Sequence, residues 1–98
     1  MAKFLTLYRF TRPVKGGGPE RFKTFQALME REGGKLLNFH GLMGPYDVMV
    51  LAEYPDTRSA AKGAAAVGNL ITAESTTMPA LEAGDFLSLL KELNDEQP

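Results

Sequence analysis

Few side chains in this chain can do chemistry. His40 is its only histidine, and it has no cysteine. On an extended strand alternate residues share a face, so Asn38 and His40 project together, with Leu36 and Leu42 of the same parity. An imidazole beside an amide that can donate and accept is able to move a proton or orient a polar group. On an apolar strand a single histidine serves more often as a hydrogen-bonded structural residue. Tyr46 and Asp47 are the next candidates, placed just ahead of the apolar run Val48 to Ala52. Just ahead of a buried strand, Asp47 is a candidate general base. In a turn, however, the same carboxylate accepts backbone N–H groups and fixes a hairpin, while a tyrosine packs its ring and keeps its hydroxyl wet. Turn chemistry favours that second role. Tyr8 is a phenol donor whose main expected role is core packing. Its neighbour Arg9 faces the other way, so only one of the two lines any given cavity.

Other reaction classes find little support. One histidine without cysteine cannot anchor a tetrahedral zinc site, and no second ligand stands at a useful spacing, so neither metal nor cofactor is expected. The Gly16-Gly17-Gly18 run before a helix start is reminiscent of a phosphate loop. It lacks the following Lys-Ser/Thr and any dinucleotide spacing, and reads as a flexible loop or lid. No Ser-His-Asp set and no glycosidase-like carboxylate pair can be justified from spacing. Glu30-Arg31-Glu32 and Lys91-Glu92 read as solvated helix faces. The 11 basic and 12 acidic residues are interspersed and leave a net charge of −1, which provides no footprint for nucleic acid or anionic membranes. No apolar run approaches the roughly 20 residues of a membrane span, and the N-terminus lacks the pattern of a secretory signal. A cytoplasmic location is expected.

The elements that must position these residues can be read from hydrophobic period. The 98 residues, 44% of them hydrophobic, predict one domain over residues 1–98 that buries roughly 60 to 70% of its unfolded surface. Phe4 to Phe10 reads as a first strand. Pro19-Glu20 opens a helix carrying Phe22, Phe25, Leu28 and Met29 on one stripe, and Gly33-Gly34 caps it. Lys35 to Met43 predicts a second strand, joined through a Gly44-Pro45 turn to an antiparallel third strand, Val48 to Ala52, that is buried on both faces. Asp56 is the N-cap of an alanine-rich helix, Thr57 to Val67, whose small side chains permit close approach to a sheet. Gly68-Asn69 is expected to stop that helix, and Leu70 to Met78 to form a fourth strand. After Pro79 and Gly84, Asp85 is expected to cap a last helix with Phe86, Leu89, Leu90 and Leu93 at i, i+3, i+4 and i+7. The tail from Asn94 to Pro98 is polar.

The order β-α-β-β-α-β plus a terminal helix predicts an α+β fold. Its four-stranded antiparallel sheet carries both main helices on one face. Both faces are apolar: Phe4, Tyr8 and Phe10 oppose Leu5 and Leu7, and Val48, Val50 and Ala52 oppose Met49 and Leu51. Two helices cover one face only. The other needs the terminal helix folded back, or a second chain. A homodimer or higher homo-oligomer, with sheets face to face, is the preferred expectation.

Gly44-x-Tyr46-Asp47 followed by Val-Met-Val-Leu-Ala-Glu-Tyr-Pro-Asp, the preceding Gly34-Lys35, the alanine-rich helix and Gly68-Asn69 together resemble the GYD domain family across nearly the whole chain. The resemblance implies a ferredoxin-like fold of the dimeric α+β barrel kind, whose members associate through their sheets. It implies no reaction. Pro45 within the signature stiffens the turn, and Ile71 stands where a basic residue is expected, which removes any anion contact made there by relatives. The leading functional expectation is a self-associating module that binds a small, partly apolar ligand at Tyr8, Asn38, His40 and Tyr46. The fold resemblance also implies an alternative, a cofactor-free enzyme akin to small monooxygenases or isomerases, using Asn38, His40, Tyr46 and Asp47. A third is a subunit of a larger protein complex.

Overall fold

The structure is a computed structural model that describes residues 1–13 and 18–96. Most of the glycine run, Gly16-Gly17, and the end of the tail lie outside the described residues. The elements are strands β1 (Ala2–Phe10), β2 (Lys35–Gly41), β3 (Val48–Tyr54) and β4 (Ala73–Ala80) and helices α1 (Gly18–Arg31), α2 (Thr57–Ile71) and α3 (Ala83–Asp95). The chain order is β1-α1-β2-β3-α2-β4-α3, and the strands form one antiparallel sheet in the order β2-β3-β1-β4. This is the split β-α-β topology of a ferredoxin-like α+β fold.

One face of that sheet is covered by helices. Phe4, Thr6 and Tyr8 of β1 and Val48, Val50, Ala52 and Tyr54 of β3 are buried at alternate positions, as the two-residue period of a strand dictates. Phe25 and Met29 of α1 and Ala60, Ala64 and Val67 of α2 close over them. Each Val, Phe or Met so buried contributes roughly 1.5–3 kcal/mol relative to exposure. The small residues of α2 let its backbone lie directly on Tyr54: a Cβ added at Gly63 would stand 2.5 Å from the Tyr54 hydroxyl oxygen.

Several predicted boundaries move, each for a local reason. Gly68-Asn69 does not stop α2, which runs on to Ile71. Ala60, Ala64, Val67, Gly68 and Ile71 fall on one helical stripe, and Gly68 faces β4, where an added Cβ would meet the Ala73 carbonyl oxygen at 3.1 Å. It is a packing glycine, not a cap. The helix ends instead at Thr72, in the left-handed region at φ 54°, whose N–H donates to the Gly68 carbonyl. Strand β4 therefore starts at Ala73 rather than Leu70. It continues through Pro79, opposite Phe4, because β4 is an edge strand whose outer side needs no donor. Strand β2 stops at Gly41, short of Met43, and β3 reaches Tyr54. Asp56 caps α2 as expected, accepting the Ser59 N–H at 2.7 Å. Its backbone hydrogen bond holds the carboxyl below the usual carboxylate range. Asp85 does not cap α3: Glu82 occupies that position without a side-chain cap bond, and Asp85 lies in the first turn.

The other face is open. Leu5, Leu7, Met49, Leu51 and Met78 share it by register and are half-buried. Strand β3 is thus covered on one side only within a single chain. Helix α3 does not fold back over this face. Among the described residues it packs against no other element, and Phe86, Leu89, Leu90 and Leu93 are 48%, 43%, 40% and 49% exposed. An ion pair between Lys3 and Glu82 ties down the segment that leads into it.

Candidate functional site

The Tyr46-Asp47 turn sits where the β2–β3 connection crosses the end of β1. Asp47 stitches it down with three hydrogen bonds. Its Oδ2 accepts the Phe10 N–H at 2.8 Å, its own N–H donates to the Tyr8 carbonyl at 2.8 Å, and its carbonyl accepts the Leu42 N–H at 2.8 Å. The carboxylate is thus engaged in holding backbone, which is the turn chemistry of an aspartate. Tyr46 is half-buried and lines a polar cavity of 320 Å³ with Arg9, Pro45, Glu74 and Thr76. Arg9 and Glu74 face each other across β1 and β4 and form an ion pair; the hydrogen bond that Arg9 donates to the Glu74 carboxylate raises the guanidinium pKa further.

Tyr8 lies on the opposite face from Arg9. It is 2% exposed and donates to the Ala64 carbonyl at 3.0 Å, which anchors β1 to α2. Burial pushes its phenol pKa well above the ordinary value. Asn38 and His40 do project together, but not with Leu36. The β2–β3 register shifts between Leu36 and Asn38, so Leu36 pairs with Ala52 while Asn38 and His40 pair with Leu51 and Met49. That bulge adds one residue and reverses the parity of the rest of β2. Asn38 and His40 are therefore exposed on the open face, Leu36 belongs to the covered one, and Phe39 is turned towards α1. The structure brings Asn38 and His40 into one row, groups Tyr46 with Arg9 beyond β3, and sets Tyr8 apart in the core.

The same bulge creates a second cavity that residue types alone do not announce. Phe39 stands edge-on to Phe22 and Phe25, with centroids 5.3 and 5.5 Å away, and those two rings stack at 5.5 Å. Together with Phe10, Val48 and Ile71 they line a partly open cavity of 380 Å³ between α1, the sheet and the end of α2. Arg21 is the charged side chain of this wall among the described residues. Two sequence signals point here, the Phe22/Phe25 stripe and the aromatic Phe10. The contribution of Phe39 depends on the bulge. Among the described residues no three His, Cys, Asp or Glu side chains group as a metal site requires, and no helix is long and apolar enough to cross a membrane.

A four-stranded antiparallel sheet with two crossover helices on one face, a Gly-x-Tyr-Asp turn clamped to β1 and an aromatic cavity beneath α1 define a small ferredoxin-like α+β protein. The family model for the GYD domain matches residues 4–90, and the chain belongs to that family. No curated protein and no solved structure matches it.

Proposed function

We propose that this GYD domain chain is a self-associating module that binds a small, partly apolar molecule, two copies pairing through their open sheet faces. One observation carries the reading. A single chain leaves two apolar surfaces without a partner, the Leu5, Leu7, Met49, Leu51 and Met78 face and the Phe86 to Leu93 stripe of α3. Exposed apolar area of that extent marks an interaction surface, and a sheet face that meets its own copy about a two-fold axis is self-complementary. The Arg9–Glu74 and Lys3–Glu82 pairs border it, as polar rims border apolar interface centres. The test is Leu51→Lys, which places a charge mid-sheet on the open side. Light scattering is expected to give a two-chain mass for the natural sequence and a one-chain mass for the variant, with unchanged circular dichroism. Equal masses would overturn the pairing.

Asn38 and His40, side by side on the same face, favour a second reading as a cofactor-free enzyme. A pairing partner would remove water from both groups, and an imidazole beside an amide is suited to proton transfer or substrate orientation there. Turnover of a phenolic or lactone substrate by the natural sequence and not by His40→Ala supports it. Equal rates remove His40.

A further inference from the structure

The cavity beneath α1 differs from the open face in being concave, aromatic and bordered by a cation, Arg21, that no carboxylate of the described residues pairs with, and its composition specifies a ligand class. We propose that it binds a small monocarboxylate with an apolar body, the hydrocarbon lying among Phe22, Phe25, Phe39, Val48 and Ile71 and the carboxylate meeting Arg21. This rests on the proposed function, in which the chain holds a small apolar ligand, and it names where and of what charge.

Three observations converge on it. The first is size: 380 Å³ lies within the range of small-molecule sites. The second is an aromatic ring that the fold leaves unsealed. Phe39 is 41% exposed although it packs edge-on against two other rings, so the wall it forms still presents apolar surface to solvent. A residue needed only for the core would sit as deep as Phe25, which is 5% exposed. The third is Arg21. Arg21 is half-buried and lines the cavity, yet among the described residues no carboxylate pairs with it and its one hydrogen-bond partner is the Leu70 carbonyl, at 3.5 Å. A contact that long is a weak hydrogen bond. Arginine presents several donors in a planar fork matched to a carboxylate. A cation set into a wall of phenyl rings, with most of its donors unspent among the described residues, selects an anion at one end of an apolar molecule. The opening turn of α1 adds its positive end in the same place, since Gly18 also lines the cavity.

The test compares octanoate with octan-1-ol, two probes of equal chain length that differ in charge, by titration calorimetry on the full chain at low salt. Amide shifts of Phe39, Val48 and Ile71 in nuclear magnetic resonance locate the binding. Octanoate is expected to bind about tenfold more tightly than the alcohol, the scale of one charge-assisted contact. Arg21→Met should reduce octanoate to the level of the alcohol and leave the alcohol unchanged. Phe39→Asp, at an exposed edge-strand position that tolerates polarity, should weaken both. Equal affinity for the two probes, or no effect of Arg21→Met on octanoate, overturns the carboxylate assignment while leaving an apolar ligand site in place. Binding of neither probe to the folded natural sequence overturns the ligand reading itself.

Discussion

The two faces of this sheet are built from nearly the same kinds of residue and have opposite fates. On β3, Val50 is 4% exposed beneath α1 and α2, while its neighbour Met49 points the other way and stays half-buried on an uncovered surface. Over β1 and β3 the covered face is closed within one chain: Tyr8 has its hydrogen bond, Gly63 makes room for Tyr54, and no buried side-chain nitrogen or oxygen of the described residues is left without a partner. The open face has the apolar content of a core and none of its closure. Residue type alone therefore does not decide burial. The crossover helices do, and there are enough of them for one side.

That contrast can be broken most severely at adjacent positions. Val50→Asp buries a charge without a partner and is expected to cost more than about 4 kcal/mol, unfolding the chain in mild urea. Met49→Asp, one residue away, should leave the urea midpoint of the single chain within about 0.5 kcal/mol and change only the solution mass. A similar loss of fold from both would erase the distinction between the faces.

Tyr8 sharpens the contrast at a single atom of the covered face. Tyr8→Phe is expected to cost about 1 kcal/mol at neutral pH, the net value of one hydrogen bond, by thermal unfolding. Burial raises the phenol pKa in the folded state above its ordinary 10.0. The folded state therefore prefers the neutral phenol. That stability is fully present below pH 10 and is lost as pH rises towards the folded value. Tyr54 shifts in the same direction through its own burial, with the Glu32 charge a smaller cause. The natural sequence should lose stability above pH 10, and Tyr8→Phe should lose less over the same range. Parallel alkaline profiles would contradict the burial of this group.

The smallest effect is expected at the seam between α2 and β4. A β-branched residue in the left-handed region is strained, and Thr72 stands there at φ 54°. Thr72→Asn keeps the backbone bonds to Thr11 and Gly68 and should stabilise the covered side by about 0.5–1 kcal/mol, measured as a rise in urea midpoint. No change would mean that the strain is relieved elsewhere.

The order of the elements, the two faces and the turn role of Asp47 were legible in the sequence, because strand alternation, Asp56 as a cap and the Gly-x-Tyr-Asp turn act locally. What was hidden depended on contacts between elements. Gly68 looked like a helix stop and is a point of close approach to β4, a difference that exists only once Ala73 is opposite it. Pro79 looked like a strand end and is tolerated because β4 is an edge. The bulge between Leu36 and Asn38 moves Phe39 to the helix side, and with it the aromatic cavity comes into being. Asn38 and His40 keep their shared face because both lie on the same side of the bulge.

Sedimentation equilibrium of the natural sequence over a wide concentration range tests the pairing of the open face most directly. Face-to-face pairing predicts a particle of twice the 10.7 kDa chain mass that dissociates only on dilution. A particle of one chain mass at every concentration, with the Leu5, Leu7, Met49 and Leu51 side chains accessible to solvent, would contradict it.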